Sequence, residues 1–291
     1  MKYFVAGLLA LGWLQSSANV AQRPVTFENV AAAAGISFTH TSGASPDKYL
    51  VETMGSCGVL FDYDNDGLID LFLVDGGSIA DATVNVRARH RLYRNAGEGA
   101  FKDVSEASGI RHREYGMGAC AGDVDNDGRV DLYVTNYGPN ELYRNNGNGT
   151  FSDITRTANV GAPGWSTSCA FFDMDGDGDL DLFVTNYLDA PKSSNRFCGD
   201  AQKRIRVYCH PLVYPSVPNV LYRNDGKGVF TDVTSAAGLS KYLGNGLGVA
   251  VADYDDDGRP DIFVANDTVP NFLFRNEGGG RFTDVTQQAQ V

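Results

Sequence analysis

Short apolar runs separated by polar, glycine-rich segments dominate the chain. A typical run has four mostly branched aliphatic or aromatic residues with Asp or Asn beside it; examples are Leu71–Val74, Leu132–Thr135, Leu182–Thr185 and Ile262–Ala265. Runs of this length and composition, bounded by turn residues, predict β-strands and not helices. We therefore expect an all-β protein.

The predicted strands recur in a fixed order that defines a repeat. A Leu-Tyr-Arg-Asn or Leu-Phe-Arg-Asn strand is followed by a Gly-x-Gly turn and then by a strand of the form Phe-x-Asp-Val or Phe-x-Asp-Ile. Strands of the first kind begin at Leu92, Leu142, Leu221 and Leu273, and those of the second kind span 101–104, 151–154, 230–233 and 282–285. A fifth, similar copy of the second kind, Phe27–Val30, precedes the first repeat.

Each repeat accounts for about four antiparallel strands. The runs Ala119–Gly122 and Gly248–Ala252 contain only small residues and Val, which suits an innermost strand crowded around a central axis. Four-stranded antiparallel units arranged around an axis form a β-propeller. The sequence therefore predicts a β-propeller with about four blades present, and a β-solenoid, whose coils are usually shorter, is the alternative.

Four segments, here called the aspartate windows, share the pattern Asp-x-Asp-x-Asp-Gly-x-x-Asp. They span 62–70, 123–131, 173–181 and 253–261, start 61, 50 and 80 residues apart, and hold 18 of the 29 Asp residues. Repeats at this spacing, with insertions, are typical of repeat architectures. Gly at position 6 permits a sharp turn, which brings the carboxylates of positions 1, 3 and 5 together.

The windows predict calcium sites, with about four ions per chain. Calcium takes about six to eight oxygen ligands, and a carbonyl at position 7 and Asp at position 9 can complete the shell. Position 12 is Leu or Val in a predicted strand, whereas an EF-hand needs Glu there and flanking helices. Asx-turns without metal are the alternative, against which carboxylate repulsion argues. The predicted ligands are Asp62, Asp64, Asp66, Leu68, Asp70, Asp123, Asp125, Asp127, Arg129, Asp131, Asp173, Asp175, Asp177, Asp179, Asp181, Asp253, Asp255, Asp257, Arg259 and Asp261.

Composition and charge limit the classes of function that fit the chain. The chain has 24 Lys and Arg against 36 Asp and Glu among 291 residues, a net charge of −12. Nucleic-acid-binding domains usually carry the opposite charge, so we expect no nucleic-acid partner. Asp outnumbers Glu by 29 to 7, and Gly occurs 34 times. This bias favours turns and oxygen-ligand loops over helices.

The N-terminus, residues 1–18, predicts a secretory signal peptide. Lys2 is followed by an apolar run from Tyr3 to Leu14 and then by small and polar residues up to Ala18, which is the order of segments in a signal peptide. The run is too short for a bilayer, which needs about 20 apolar residues; a membrane anchor is the alternative. We expect cleavage after Ala18 and a secreted, periplasmic or cell-surface protein without a membrane span.

An insertion at 187–219 separates the third and fourth windows. Its Cys198 and Cys209 should form a disulfide in an exported protein. The rest of the chain is acidic, so this basic segment is the candidate partner-contacting surface, with a stapled structural loop as the alternative. Its basic residues are Lys192, Arg196, Lys203, Arg204 and Arg206.

Three further cysteines lie shortly before windows. Cys57, Cys120 and Cys169 precede Asp62, Asp123 and Asp173 by three to five residues. This position predicts small buried side chains on inner strands. One disulfide among them is possible, and their spacing does not choose it.

The windows, the Leu-Tyr-Arg-Asn strands and the Phe-x-Asp-Val strands together resemble FG-GAP/VCBS repeats, the repeat of integrin-α-type β-propellers. The resemblance covers Pro24 to Val291 and extends to the cartilage acidic protein family, in which such repeats precede an ASPIC/UnbV domain. It implies calcium at the Asp positions of the windows and an extracellular adhesion or binding role without catalysis. We expect the ASPIC/UnbV domain to be absent from this chain.

Three functions fit these features. The first is an exported, calcium-binding propeller that binds a protein or a glycan; the second is a secreted hydrolase or lyase on the same scaffold. The third is a structural half-molecule that needs a partner to complete its ring. The four His lack zinc-motif spacing, and the chain has no nucleophile elbow or Walker loop, so a non-catalytic role is favoured. A deep pocket with acids outside the windows would favour an enzyme.

The strand count predicts an incomplete ring. Four windows accompany five strands of the Phe-x-Asp-Val type, and a closed four-bladed ring needs only four. Because the integrin-type propellers that the chain resembles have seven blades, we expect an open arc of a seven-bladed ring, able to self-associate through its unpaired blade face. A closed ring would instead place Phe27–Val30 and Phe282–Val285 in one sheet.

Overall fold

Four four-stranded antiparallel sheets form the body of the protein. The computed structural model describes residues 25–79, 89–111 and 114–291, so the signal peptide expected at 1–18 lies outside the described residues. The chain divides into a unit that ends at Val30 and a second unit, Ala31–Val291, which holds all the sheets. In the first unit, residues 25–30 form neither helix nor strand.

The first two sheets, blades 1 and 2, each follow chain order from the innermost to the outermost strand. Their antiparallel register places Leu71 opposite Tyr93 in blade 1 and Leu132 opposite Tyr143 in blade 2. The strands are β1 (Gly58–Phe61), β2 (Asp70–Leu73), β3 (Arg91–Asn95), β4 (Phe101–Asp103), β5 (Tyr115–Gly122), β6 (Asp131–Tyr137), β7 (Glu141–Asn145) and β8 (Phe151–Asp153).

The rest of the chain adds two blades and two small sheets. Its strands are β9 (Ser166–Phe172), β10 (Asp181–Asn186), β11 (Cys198–Asp200), β12 (Ile205–Val207), β13 (Val217–Pro218), β14 (Val220–Asn224), β15 (Phe230–Asp232), β16 (Leu243–Gly244), β17 (Gly246–Ala252), β18 (Asp261–Asn266), β19 (Phe272–Gly278) and β20 (Arg281–Asp284). Blade 3 is β9-β10-β14-β15 and blade 4 is β17-β18-β19-β20, while β11 pairs with β12 and β13 with β16. The insertion therefore leaves the sheet between the second and third strands of blade 3.

Helices are short and lie outside the sheets. The α-helices are α1 (Ser105–Ser108), α2 (Thr155–Ala158) and α3 (Thr286–Ala289), and the 3-10 helices are Leu50–Thr53, Lys192–Ser194 and Pro211–Val213. Each α-helix follows the fourth strand of a blade. Its first hydroxyl accepts a hydrogen bond from the third strand, as Thr155 Oγ1 does from Leu142 N at 2.8 Å. This contact fixes the exit of the chain from each blade.

Three hydrophobic cores hold the blades together, one between each pair of neighbours. Phe72, Tyr133 and Phe183, at equivalent places in the second strands of blades 1, 2 and 3, are fully buried in them. Burying such a side chain contributes about 1.5–3 kcal/mol. Within the described residues, no core and no hydrogen bond joins blade 1 to blade 4. These contacts agree with the predicted open arc, which stays a prediction.

The strand predicted at Phe27–Val30 is wrong. Residues 25–30 form no strand, and the Phe27 side chain is 97% exposed. A fourth strand needs the third strand of its own blade, as β4 pairs with β3, and the described residues before Phe27 provide none. Phe27–Val30 resembles the fourth strands of the repeats in sequence, but a segment of this kind forms a strand only where a neighbouring third strand is present to pair with it.

An asparagine at the end of the third strand links blades 2, 3 and 4 each to the preceding blade, and we call this contact the asparagine latch. The Asn Nδ2 group donates to the backbone carbonyl of window position 2 in the preceding blade. The pairs are Asn145 to Tyr63 (2.7 Å), Asn224 to Val124 (2.8 Å) and Asn276 to Met174 (2.8 Å). Within the described residues, the Nδ2 group of Asn95 in blade 1 donates to Ile69 O of its own blade and to no other blade.

Two disulfides reinforce the arc. Cys120 and Cys169 join the innermost strands of blades 2 and 3, with their Cα atoms 5.7 Å apart, which settles the pairing that the sequence left open. Cys57 is the remaining free cysteine among the described residues. The predicted bond between Cys198 and Cys209 is present and closes the insertion.

We expect Asn224→Ala to lower the free energy of unfolding by about 2 kcal/mol, because it leaves buried carbonyls without their donor. Asn95→Ala is the matched control, since Asn95 makes the own-blade bond but no latch. Chemical denaturation of both variants measures the difference. Equal losses would show that the latch contributes nothing.

The two disulfides should differ in their effect on stability. The chain-entropy model gives about 4 kcal/mol for the loop closed by Cys120 and Cys169 and about 3 kcal/mol for the shorter loop of the insertion. Replacing Cys198 and Cys209 by Ala should leave the blades folded, whereas replacing Cys120 and Cys169 should lower the melting temperature further. Circular dichroism melts of the two double variants test this order, and a reversed order contradicts it.

Candidate metal centres and loop-face cavity

The aspartate windows connect the first and second strands of the blades and share one backbone conformation. Positions 4 and 6 both have positive φ, which in the second window is 55° at Asn126 and 82° at Gly128. The other windows repeat this at Asn65, Gly67, Gly176, Gly178, Asp256 and Gly258. Gly adopts this conformation freely, and Asn and Asp tolerate it. The turn predicted at position 6 is confirmed; the need for Asn, Asp or Gly at position 4 is a further feature.

The first aspartate of each window closes the loop on itself. Asp123 accepts hydrogen bonds from the backbone N–H groups of Asp127 (3.0 Å) and Gly128 (2.8 Å). Asp62, Asp173 and Asp253 make the same contacts with their own loops. Position 1 therefore fixes the backbone around which the other carboxylates gather.

The last aspartate of each window is buried and ties the loop to the third strand. Asp131 accepts from Val124 N (3.0 Å) and from Asn145 N (2.7 Å), and Asp70, Asp181 and Asp261 make equivalent pairs of bonds. Burial raises the pKa of Asp131 to about 7, against the two backbone hydrogen bonds that lower it. Position 9 is thus a structural anchor as well as a predicted ligand.

The third position holds the carboxylates with the fewest protein partners. Asp127, at position 5, accepts from Arg129 N at 3.0 Å, but Asp64 and Asp125, at position 3, accept no hydrogen bond from the backbone of the described residues. The Oδ1 atoms of both are buried and have no hydrogen-bond partner among the described residues. Burial, followed by the charge of Asp127, raises the pKa of Asp125. A bound cation would satisfy these oxygens.

Ligand atoms from three aspartates converge in every window, within 4.8 Å of one another. In the first two windows they come from positions 1, 3 and 5, and in the last two from positions 1, 3 and 9. The clusters are Asp62, Asp64 and Asp66; Asp123, Asp125 and Asp127; Asp173, Asp175 and Asp181; and Asp253, Asp255 and Asp261. An all-oxygen, strongly acidic donor set fits a hard cation. Coordination by the position-7 carbonyls of Leu68, Arg129, Asp179 and Arg259 stays a prediction.

Arginines neutralise part of this charge. Arg94 Nε donates to Asp64 at 2.5 Å and Arg94 Nη2 to Asp66 at 2.7 Å, and this pairing raises the pKa of Arg94. Arg129 and Arg259, at position 7, contact the position-5 aspartates of their own windows. Arg94 belongs to the Leu-Tyr-Arg-Asn strand, so that motif supplies both the latch and a cation beside the window. The sequence did not assign either role.

A cavity of about 400 Å³ lies at the other end of the blades, among the loops that leave and enter the sheets. Its wall includes Tyr115, Tyr137 and Trp165, with the Tyr137 and Trp165 rings edge to face at 5.3 Å between centroids. The Tyr115 hydroxyl donates to the Ser42 carbonyl at 3.0 Å, and the Tyr137 hydroxyl donates to the Ala190 carbonyl at 2.6 Å. The cavity therefore presents aromatic rings without free phenol groups.

Charged side chains surround this aromatic wall. Glu114 is half-buried in the cavity, and Asp189 and Lys192 line it from the base of the insertion. Burial raises the pKa of Glu114, and the charge of Lys192 opposes the shift. None of these residues belongs to a window. The sequence did not reveal this cavity, because Glu114, Trp165 and Asp189 are far apart in the chain and carry no motif.

The insertion packs on the same side of the arc. Cys209 and Tyr214 join a buried cluster with Trp165 and Tyr187, and Arg206 donates to the carbonyls of Asn195 and Arg196, which makes it a support of the loop rather than a free charge. Its outer surface exposes Phe197, Ile205, Val207 and Leu212. The insertion is thus anchored by its base and presents basic and apolar groups outward.

The chain can be compared with proteins of known name. Cartilage acidic protein 1 of Xenopus tropicalis is 39% identical over 74 residues, 24% of this chain and 11% of that protein. The human protein of the same name is 37% identical over 97 residues, 30% of this chain and 14% of its own length. The chain therefore matches only a small part of these relatives. No helix in the described residues is long and apolar enough to cross a membrane.

Two solved structures share a low overall similarity. A lectin of Agrocybe aegerita, described as recognising non-reducing terminal N-acetylglucosamine, aligns with a TM-score of 0.31 and 18% identity over 78% of this chain and 64% of its own. The Tc holotoxin pore of Photorhabdus luminescens aligns with a TM-score of 0.35 and 17% identity over 80% of this chain and 9% of its own.

The sequence profile of the FG-GAP-like repeat matches most of the chain. The matched segments are 62–134, 123–184, 212–264 and 253–290. The first two segments each contain two aspartate windows, and the last two both contain the window at 253–261. Together the segments include strands of all four blades. The chain therefore belongs to the FG-GAP-like repeat family.

Proposed function

We propose that this protein is an exported, calcium-binding β-propeller module that binds a protein or glycan and does not catalyse a reaction. The observation that carries the calcium assignment is the buried, unpartnered Oδ1 of Asp64 and Asp125 in the middle of converging carboxylates. Leaving such a charged oxygen unpaired is costly. A cation at this point would remove the cost and the mutual repulsion.

Positions 1, 3, 5 and 9 of each window would hold calcium, together with the position-7 carbonyl. The ion would supply positive charge and structural cross-linking, with no role in bond making. Asp at positions 1 and 9 already has its backbone bonds, so the loop is preorganised for the ion. In the first two windows position 3 is contacted by an arginine, Arg94 or Arg144, but by no backbone N–H group of the described residues. This makes it the most selective place to remove binding.

The partner would bind at the end of the blades opposite the windows. The cavity offers an aromatic wall and the charged groups of Glu114, Asp189 and Lys192. The insertion beside it exposes apolar side chains and basic residues on an acidic protein. Aromatic and charged groups around a concave surface are typical of ligand sites. The basic surface favours a partner that carries acidic groups.

A secreted hydrolase or lyase is the second candidate. The observation in its favour is that Glu114 and Asp189, acids outside the windows, line the cavity. A half-buried Glu with a raised pKa is a candidate general acid. Release of product from a panel of glycan and ester substrates, abolished by Glu114→Gln, would support the enzyme and contradict the non-catalytic proposal.

Calcium should stabilise the fold. For a dissociation constant of about 0.1 mM, millimolar calcium contributes about 1.4 kcal/mol per site, or about 6 kcal/mol for four independent sites. We therefore expect EDTA to lower the melting temperature by roughly 10 °C or more. Differential scanning calorimetry in calcium and in EDTA measures this shift, and superimposable curves would contradict calcium binding.

Variants of one window separate the ligand role from the structural role. Asp125→Asn should abolish most of the calcium gain of its site and leave stability in EDTA nearly unchanged. Asp131→Asn should cost about 1–3 kcal/mol in both conditions, because its amide cannot accept both backbone hydrogen bonds. If Asp125→Asn destabilises the protein equally in EDTA, position 3 is structural and the assignment fails.

Ligand binding should depend on the loop face. A screen of glycans and matrix proteins, in calcium and in EDTA, identifies binders, and the paired change Lys203→Glu and Arg204→Glu should weaken them at least tenfold. Lys227→Glu, in the turn between β14 and β15, is the control on the opposite end. Equal weakening by the control would show that binding follows net charge and not the insertion.

A further inference from the structure

The first three windows, numbered here in chain order, touch one another through the side chain at position 4. Asn65 Nδ2 of window 1 donates to Gly128 O of window 2 at 2.8 Å. Asn126 Nδ2 of window 2 donates to Asp179 Oδ1 of window 3 at 2.6 Å. We call these two hydrogen bonds the window links. They join consecutive aspartate loops directly, apart from the strands and cores of their blades.

Each link ends on a segment that holds a predicted ligand of the next window. The Gly128 carbonyl belongs to the peptide group whose N–H, at Arg129, donates to Asp127 Oδ1 at 3.0 Å. Asp179 receives the second link on its side chain, and its backbone N–H donates to Asp177 Oδ1 at 2.9 Å. Both receiving aspartates are at position 5. The donating asparagines lie between the predicted ligands of positions 3 and 5 in their own windows.

The series of links stops at window 3. Position 4 of that window is Gly176, which has no side chain to donate, and within the described residues no hydrogen bond joins segment 173–181 to segment 253–261. Blades 3 and 4 are nevertheless in contact, because Asn276 of blade 4 forms its latch with Met174 O of window 3. This interface therefore has the latch and lacks the link, so the two contacts can be tested separately.

We propose that the window links couple calcium binding in windows 1, 2 and 3 and leave window 4 independent. This inference rests on the calcium role proposed above. An ion that binds positions 3 and 5 of one window orders the asparagine between them, and that asparagine holds the next loop in place. The next ion then meets a loop whose ordering is already complete, which tightens its binding. The coupling is reciprocal between the two sites.

Repulsion between bound ions opposes this coupling. Positions 4 to 6 of the three linked windows are exposed, and at physiological ionic strength salt screens exposed charges over about 8 Å. Each window also holds at least four aspartates, so it keeps a negative charge after one divalent ion has bound. The link is a direct hydrogen bond and is not screened in this way. We therefore expect each link to lower the dissociation constant of the adjacent site about fivefold.

Two paired variants isolate a linked and an unlinked pair of windows. Asp175→Asn with Asp255→Asn leaves windows 1 and 2, which are joined by a link. Asp64→Asn with Asp125→Asn leaves windows 3 and 4, which are adjacent but not linked. Equilibrium dialysis of each full-length variant against labelled calcium gives the number of ions bound and the Hill coefficient, and circular dichroism in EDTA confirms that each is folded. Fivefold coupling between two equal sites gives a Hill coefficient of about 1.4 for the linked pair, and we expect no more than about 1 for the unlinked pair.

Substitutions at position 4 assign the coupling to the link. Asn65→Gly in the linked pair should lower the Hill coefficient to about 1 or below, while two ions still bind. Gly suits this site because it is the native residue at position 4 of window 3 and permits the positive φ. Asn126→Gly in the same pair is the matched control, since its link leads to window 3, which that pair of substitutions has disabled. The control should keep the Hill coefficient of the linked pair.

The outcomes separate this inference from the calcium role itself. A linked pair that binds two ions with a Hill coefficient of 1 or below overturns the coupling and leaves calcium binding intact. Cooperativity that survives Asn65→Gly, that is lost equally in Asn126→Gly, or that is equally strong in the unlinked pair also overturns it. Absence of bound calcium from the wild type and both pairs overturns the calcium role and the coupling together.

Discussion

The packing of carboxylates into the turns between the first and second strands is the constraint on which the structure depends. Each window brings ligand oxygens of three aspartates within 4.8 Å of one another and buries the aspartate at position 9, which is one of the three in the last two windows. The same residues connect the blades: Asp131 accepts from Asn145 N, Asn145 Nδ2 donates to Tyr63 O, and Tyr63 N donates to Asp70 of the preceding window. A change in the charge of one window should therefore also affect the interface between its blade and the adjacent blade.

This coupling explains why the two ends of the blades differ in character. The window end repeats almost unchanged from blade to blade, because the loop, its anchor and the latch must fit together. The loop end has no such requirement, and it carries the insertion, the aromatic cavity and the exposed apolar side chains. A conserved geometry at one end and irregular loops at the other are what a scaffold needs to hold a variable binding surface.

The sequence was sufficient for the features that repeat. Strands β2, β6, β10 and β18, the turn at Gly128 and its equivalents, and the bond between Cys198 and Cys209 all follow from local patterns. The features it missed depend on contacts across the sheet. These features are the latch of Asn145, the disulfide between Cys120 and Cys169, and the cavity that Glu114 and Trp165 both line. The spacing of these residues in the chain does not indicate that they come together. The strand prediction at Phe27–Val30 was wrong for the same reason, because a strand forms only beside another strand with which it can pair.

Calcium in the windows is the central claim, and counting the bound ions tests it most directly. Equilibrium dialysis of the protein against labelled calcium, with Asp125→Asn alongside, gives the number of ions per chain at saturation. The structure predicts about four ions for the wild type, one for each cluster of aspartates, and one fewer for the variant. Saturation without bound calcium, or an unchanged count in the variant, would contradict the account.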